Sequence, residues 1–161
     1  MNGHLNVNKY IKVKFKLPKS DWHNHGVENL WAEPTDNKLF FNLRNTPFYA
    51  YGYSFLDTVQ CKKYKGDMFA EKVFKSSQHS TYRVCFLNEK INKTYHAEVL
   101  SQLTKLGCTY EGFGALYAID VPPETDIEKI FCILTANEEK NIWGFEEANY
   151  CHPSKNPRID H

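Results

Sequence analysis

No run of about 18 apolar residues occurs in this 161-residue chain, so no helix that crosses a bilayer is expected. The first residues, MNGHLNVNKYIKVKFKL, lack the basic start, continuous apolar stretch and small-residue cleavage site of a secretory signal. No C-x-x-C pair exists among the five cysteines, Cys61, Cys85, Cys108, Cys132 and Cys151. Their odd number and wide spacing argue against a disulfide framework or a zinc site, and reduced, mostly buried thiols in a cytoplasmic protein are expected. Neither G-x-x-x-x-G-K-[ST] nor G-x-G-x-x-G appears, so the usual nucleotide cradle is missing and no cofactor is expected.

What is present is an ordinary globular composition, with 42% hydrophobic and 24% charged residues. Aromatics at 15% supply bulky surface for one core or two small ones. The net charge of +1 conceals an asymmetry: residues 1–110 carry 16 Lys/Arg against 9 Asp/Glu, while residues 111–150 carry only Lys129 and Lys140 against nine acids. An acidic lobe suits a basic protein surface better than a nucleic acid.

IKVKFKL (11–17) alternates strictly and predicts a half-buried strand with a lysine row outside, a pattern that also protects edge strands. Phe15 falls on the opposite face, so no aromatic shares the lysine row of this strand, which disfavours nucleic acid as a partner. Strands follow at 27–33, 38–44, 56–62, 68–74 and 81–87, separated by turn signals. The period then changes. A helix from a Thr94 cap to Leu106 stops at Gly107, strands read at 108–111 and 116–121, and a second helix starts from a Thr125–Glu128 capping box. Its apolar stripe is Ile127, Ile130, Phe131 and Leu134, and NIWGFEE (141–147) closes the series. The expected fold is α+β: a β-rich lobe over 1–80, a small barrel or curled sheet, fused to a ferredoxin-like β-α-β-β-α-β lobe over 81–150, with an irregular tail at 151–161. The strand at 81–87 is a candidate to serve both lobes.

SSQHSTYRV (76–84) gathers polar chemistry. On a strand His79 shares a face with Thr81 and Arg83, and Ser80 with Tyr82, so a Ser80–His79 nucleophile and base are poorly placed. No G-x-S-x-G elbow surrounds these serines. Cys85 lies between Val84 and Phe86, where burial would make it inert. His23 and His25 form an H-x-H pair that needs a third ligand, and Cys151–His152 is the other Cys/His neighbour pair; the spacing leaves metal binding open.

ENLWAEP (28–34), NTPFYAYGYSFLDTV (45–59) and HSTYRV (79–84), with LGCTYEG, YAIDVPPETD and WGFEEA further on, resemble the markers of bacterial domain-of-unknown-function family 4265. The resemblance covers roughly residues 10–150. Two departures stand out: Phe55-Leu56 where the family has a Gly-like turn before Asp57, and Ser77-Gln78 where it has Ser-Gly before His79. The resemblance implies a small bacterial protein, some of whose relatives look like immunity proteins that neutralise a toxin from a neighbouring gene. LTKLGCTYEG with YAIDVPPE is also similar to the C-terminal half of a ferredoxin-like ribonuclease-regulator family.

The resulting expectation is a non-catalytic, cytoplasmic immunity protein that occludes a cognate protein toxin, with no membrane partner. Glu111, Glu124, Asp126, Glu128, Glu138, Glu139, Glu146 and Glu147, with Asp120, would steer a basic partner. Trp22, Trp143 and Tyr150 are candidate aromatic anchors. The alternatives are a regulator that binds a ribonuclease or RNA through Lys12, Lys14, Lys16, Lys62, Lys63 and Lys65, and a small hydrolase using His79.

Overall fold

The computed structural model describes residues 10–88 and 92–153. Among these the fold is mixed α+β, with nine strands in two sheets and two helices. Strands β1 (Ile11–Lys16), β2 (Val27–Pro34), β3 (Phe40–Leu43), β4 (Thr58–Tyr64) and β5 (Asp67–Lys75) close into a barrel in chain order. Neighbours in the chain are antiparallel, and β5 returns beside β1 in parallel, with Val13 opposite Met68. A five-strand meander brings its first and last strands together pointing the same way. The strict alternation of β1 sends Val13 and Phe15 inward to meet Leu30, Ala32, Phe41, Leu43, Val59 and Cys61. The β4–β5 hairpin turns through Lys65 and Gly66, with φ of 49° and 86°, the paired positive values of a type I′ turn.

The second sheet comprises β6 (Ser80–Phe86), β7 (Thr109–Phe113), β8 (Leu116–Val121) and β9 (Trp143–Asn149), in the order β7-β8-β6-β9 with all pairs antiparallel. Helix α1 (Lys93–Thr104) joins β6 to β7 and helix α2 (Ile127–Glu139) joins β8 to β9. Val99, Leu100 and Leu103 of α1 and Ile127, Ile130 and Leu134 of α2 bury against Tyr82, Val84, Phe86, Ile119 and Trp143. Helix α1 ends at Thr104, two residues before the expected Leu106; Gly107, with φ of 104°, closes the turn that follows, and the Cys108 N–H donates to Leu103 O at 3.3 Å.

Several local expectations are corrected. Among the described residues strand β6 pairs with β8 and β9 alone, so it is not shared with the barrel. Helix α1 is capped by Asn92, whose side chain accepts the Tyr95 N–H at 3.0 Å, and Thr94 lies inside the first turn. Helix α2 is capped by Asp126, which accepts the Glu128 N–H at 3.1 Å. A carboxylate is the stronger acceptor at the positive end of a helix. Thr125 is turned away and donates to Leu106 O at 3.2 Å. Cys85 is exposed, because Val84 and Phe86 take the core side of β6, and Cys132 is exposed on α2; Cys61 and Cys108 are buried. Of the expected tail, residues 154–161 lie outside the described residues.

Candidate functional site

The connection from β3 to β4, residues 44–57, has no helix or strand, yet it is held from four strands. Glu28, on the inward face of β2 and 7% exposed, accepts the N–H groups of Phe48, Tyr49 and Ala50 at 2.6, 3.0 and 2.8 Å. Arg83 on β6, 1% exposed, donates from its two terminal nitrogens to the carbonyls of Phe48 and Ala50 at 2.5 and 2.6 Å. Glu111 on β7 accepts from Asn45 Nδ2 and Thr46 N at 2.8 and 2.5 Å. Gly52 N donates to Ala148 O of β9 at 3.1 Å, and Ser54 Oγ joins Thr81 Oγ1 and Asn149 Nδ2 at 2.9 Å each. Irregular backbone needs such partners when it is buried, and charged ones form the stronger bonds.

Arg83 also stacks on the Tyr51 ring at 4.6 Å, and its Nε lies 3.5 Å from Glu146 Oε1. Tyr51 Oη donates to the other Glu146 oxygen at 2.6 Å. Burial pulls the guanidinium pKa down, and the Glu146 charge opposes that shift. These contacts bind the barrel to the second sheet.

The SSQHSTYRV segment divides as strand alternation requires. His79 Nδ1–H donates to Asp120 Oδ1 at 2.8 Å. Burial works against the imidazolium, but the Asp120 hydrogen bond and the charges of Asp120, Glu124 and Asp57 outweigh it, so the pKa is raised above 6.5. Asp120 itself is 2% exposed, which removes it from the acidic docking set. On the opposite side Ser80 Oγ meets His152 Nδ1 at 2.8 Å, and His152 Nε2 meets Thr125 O at 3.1 Å. A carbonyl only accepts, so Nε2 carries a proton, and a neutral ring would leave Nδ1 to accept from the Ser80 hydroxyl. Ser80 Oγ also accepts the Cys151 N–H at 2.9 Å. A serine paired to an unprotonated imidazole has the elements of a nucleophile and base. Here Ser80 is 0% exposed, and the pair fastens residues 151–152 to β6. Its partner is His152, 72 residues away, and no local spacing announces it.

His23 and His25 flank Tyr49 with ring centroids 4.8 and 4.4 Å from it, and Trp22 joins the cluster. His23 Nδ1 accepts the His25 N–H at 3.2 Å, while Cys151 and His152 are engaged at Ser80. Among the described residues no group of three His, Cys, Asp or Glu side chains is arranged to hold a metal.

The acidic residues separate into two groups. Glu111 and Glu146 belong to the inter-lobe network above, and Asp126 is the α2 cap. Glu124, Glu128, Glu138, Glu139 and Glu147 are exposed. Glu147 accepts the Tyr82 hydroxyl at 2.8 Å, and Glu138 accepts the Phe145 N–H at 3.2 Å. Trp22 and Tyr150 are 45% and 55% exposed, as an anchor needs. Trp143 is not an anchor: it is 0% exposed, and its indole N–H donates to Leu134 O at 3.0 Å. Two clefts flank the β9 edge. One of about 400 Å³ is lined by Trp22, Arg83, Cys85, Glu138, Phe145 and Glu146. The other, of about 350 Å³, is lined by Tyr82, Glu128, Phe131, Cys132, Glu147 and Tyr150. Phe131 and Phe145 meet edge-to-face at 5.9 Å between them. Phe131 is 49% exposed, although its helical spacing placed it with the core residues of α2.

A family model for a domain of unknown function, DUF4265, matches residues 28–145. The chain belongs to that family. The DUF4265 stretch runs from Glu28, through the β3–β4 connection and Arg83, to Phe145, and so spans most of the inter-lobe network. No curated protein matches the chain. Among solved structures, a hypothetical protein from Neisseria gonorrhoeae superposes with a TM-score of 0.73 at 20% identity, over 89% of this chain and 98% of that one. At that identity the likeness is one of fold.

Proposed function

We propose that this DUF4265 chain is a non-catalytic bacterial immunity protein, acting in the cytoplasm by masking a basic protein toxin. The observation that carries the reading is the β9 edge, where exposed carboxylates from α2 and β9 surround two aromatic-lined clefts. Glu128, Glu138 and Glu147 line the clefts and supply charge, Glu139 is exposed beside Glu138 on α2, and Phe131, Tyr150 and Trp22 supply anchors. Carboxylates around an aromatic centre speed the approach of a cationic partner and leave the affinity to the buried rings. We read the two halves as a small barrel and a ferredoxin-like lobe; the β6-α1-β7-β8-α2-β9 sequence and the β7-β8-β6-β9 order support that reading. The buried position of Ser80 favours masking over hydrolysis.

Co-expression with the product of the adjacent gene tests the proposal. A stoichiometric complex is expected, together with protection of cells that make the toxin. Phe131→Ala combined with Glu128→Lys and Glu139→Lys should weaken the complex at least tenfold. Cells left unprotected, or a complex indifferent to these changes, would refute it.

A further inference from the structure

The outer wall of the barrel, away from the β9 edge, carries a second pattern. Lys12, Lys14 and Lys16 point outward from β1, opposite Trp31, Asn29 and Val27 of β2. On the other side Lys14 faces Phe69 of β5, which in turn faces Lys62 of β4. Interleaving of aromatics with lysines, absent from the outer face of β1 itself, is produced across strands. Lys12 Nζ lies 5.0 Å from the Trp31 ring centre, Lys16 Nζ 5.5 Å from Phe69, and Lys65 Nζ 5.3 Å from Tyr64. Trp31 is 46% exposed and Tyr64 55%. Two acids share β5: Asp67 is paired with Lys14 at 3.0 Å, and Glu71 is exposed.

We propose that this wall binds single-stranded nucleic acid, with Trp31 and Phe69 stacking on bases and Lys12, Lys16 and Lys62 contacting phosphates. Strands lie about 4.8 Å apart and rise about 3.3 Å per residue. Trp31 and Phe69, two strands and two residues apart, are therefore on the order of 12 Å from each other, a spacing that alternate bases of an extended, unstacked strand can span. Aromatic faces accept any base, and lysines track the backbone. The near-zero net charge does not oppose this, because fields are screened within about 8 Å at physiological salt and the local patch decides. An exposed tryptophan beneath a lysine has little value to the barrel core, which lies on the other face of β2.

Fluorescence anisotropy with labelled U12 RNA, T12 DNA and a 12-base-pair duplex tests the inference. Binding of at least one single strand in the micromolar range is expected, tighter than binding to the duplex; the U12 and T12 arms tell RNA from DNA. Three phosphate contacts predict that affinity falls roughly 15- to 20-fold between 50 and 200 mM salt. Trp31→Ala should weaken binding roughly tenfold, and Lys12→Ala with Lys16→Ala and Lys62→Ala should remove most of the salt dependence. Glu128→Gln with Glu139→Gln, on α2, should leave it within twofold, which separates this surface from the toxin-masking one. No binding to either strand, equal binding to duplex, or insensitivity to the triple lysine change would overturn it.

Discussion

Leu56 and Gln78 hold φ angles of 65° and 63°, in the left-handed region that suits glycine. Each stands immediately before a buried or half-buried polar residue, Asp57 or His79. Asp57 is 0% exposed and accepts the N–H groups of Ser54 and Ser77 at 2.8 Å each. Burial raises its pKa while those bonds lower it, with burial prevailing. The strain is tolerated because these bonds and the strand pairing on either side over-determine the turns. Leu56→Gly and Gln78→Gly should therefore each stabilise the chain by about 0.5–1 kcal/mol, the relieved strain exceeding the added unfolded-state entropy. A chain of this size would show that as a melting temperature higher by about 1–4 °C. A fall in stability for both would show that the backbone is unstrained there.

At the scale of elements, each helix start is a competition between neighbouring polar residues. Asn92 outdoes Thr94, and Asp126 outdoes Thr125. Asn92→Ala and Asp126→Ala should each cost about 1 kcal/mol in urea unfolding, whereas Thr94→Ala should be close to neutral. The reverse ranking would restore the caps expected from spacing alone. Strand β9 shows the other side of element-level control. Its outer edge is partly closed by Glu138 on Phe145 N and by Gly52 on Ala148 O, which limits edge-to-edge pairing. On β7, Gly112 leaves room for the Tyr117 ring; a Cβ there would lie 2.4 Å from it.

For the whole molecule, two histidines give opposite pH dependences. The folded state binds the His79 proton more tightly than the unfolded chain does, so its stabilisation is full below an unfolded pKa near 6.5 and is lost as the pH rises through the folded value. His96, stacked on Phe86 at 3.9 Å, has its pKa lowered by burial. Its contribution is full above 6.5 and is lost as the pH falls. A His79→Gln variant isolates the first effect. The stability gap between wild type and variant should be larger at pH 5.5 than at pH 8.5 in urea titrations. A gap that widens with rising pH would mean that Asp120 does not hold the proton on His79.

Strand and helix placement was legible in the sequence because alternation and 3.6-residue spacing are local properties. Val13 and Phe15 inside with Lys12 and Lys16 outside, and the Gly107 stop, needed nothing distant. The side on which a residue is covered depends on other chain segments, and here the sequence was silent. Phe131 fits a core stripe yet meets solvent, and Trp143, a candidate anchor, serves as core. Glu111 joins the β3–β4 connection rather than a docking face, and Ser80 finds His152 rather than His79. The aromatics among the lysines became visible only when β2, β4 and β5 were laid beside β1. Periodicity along one chain determines which way a side chain points relative to its own element; only closure of the barrel and docking of the second sheet decide what it meets there.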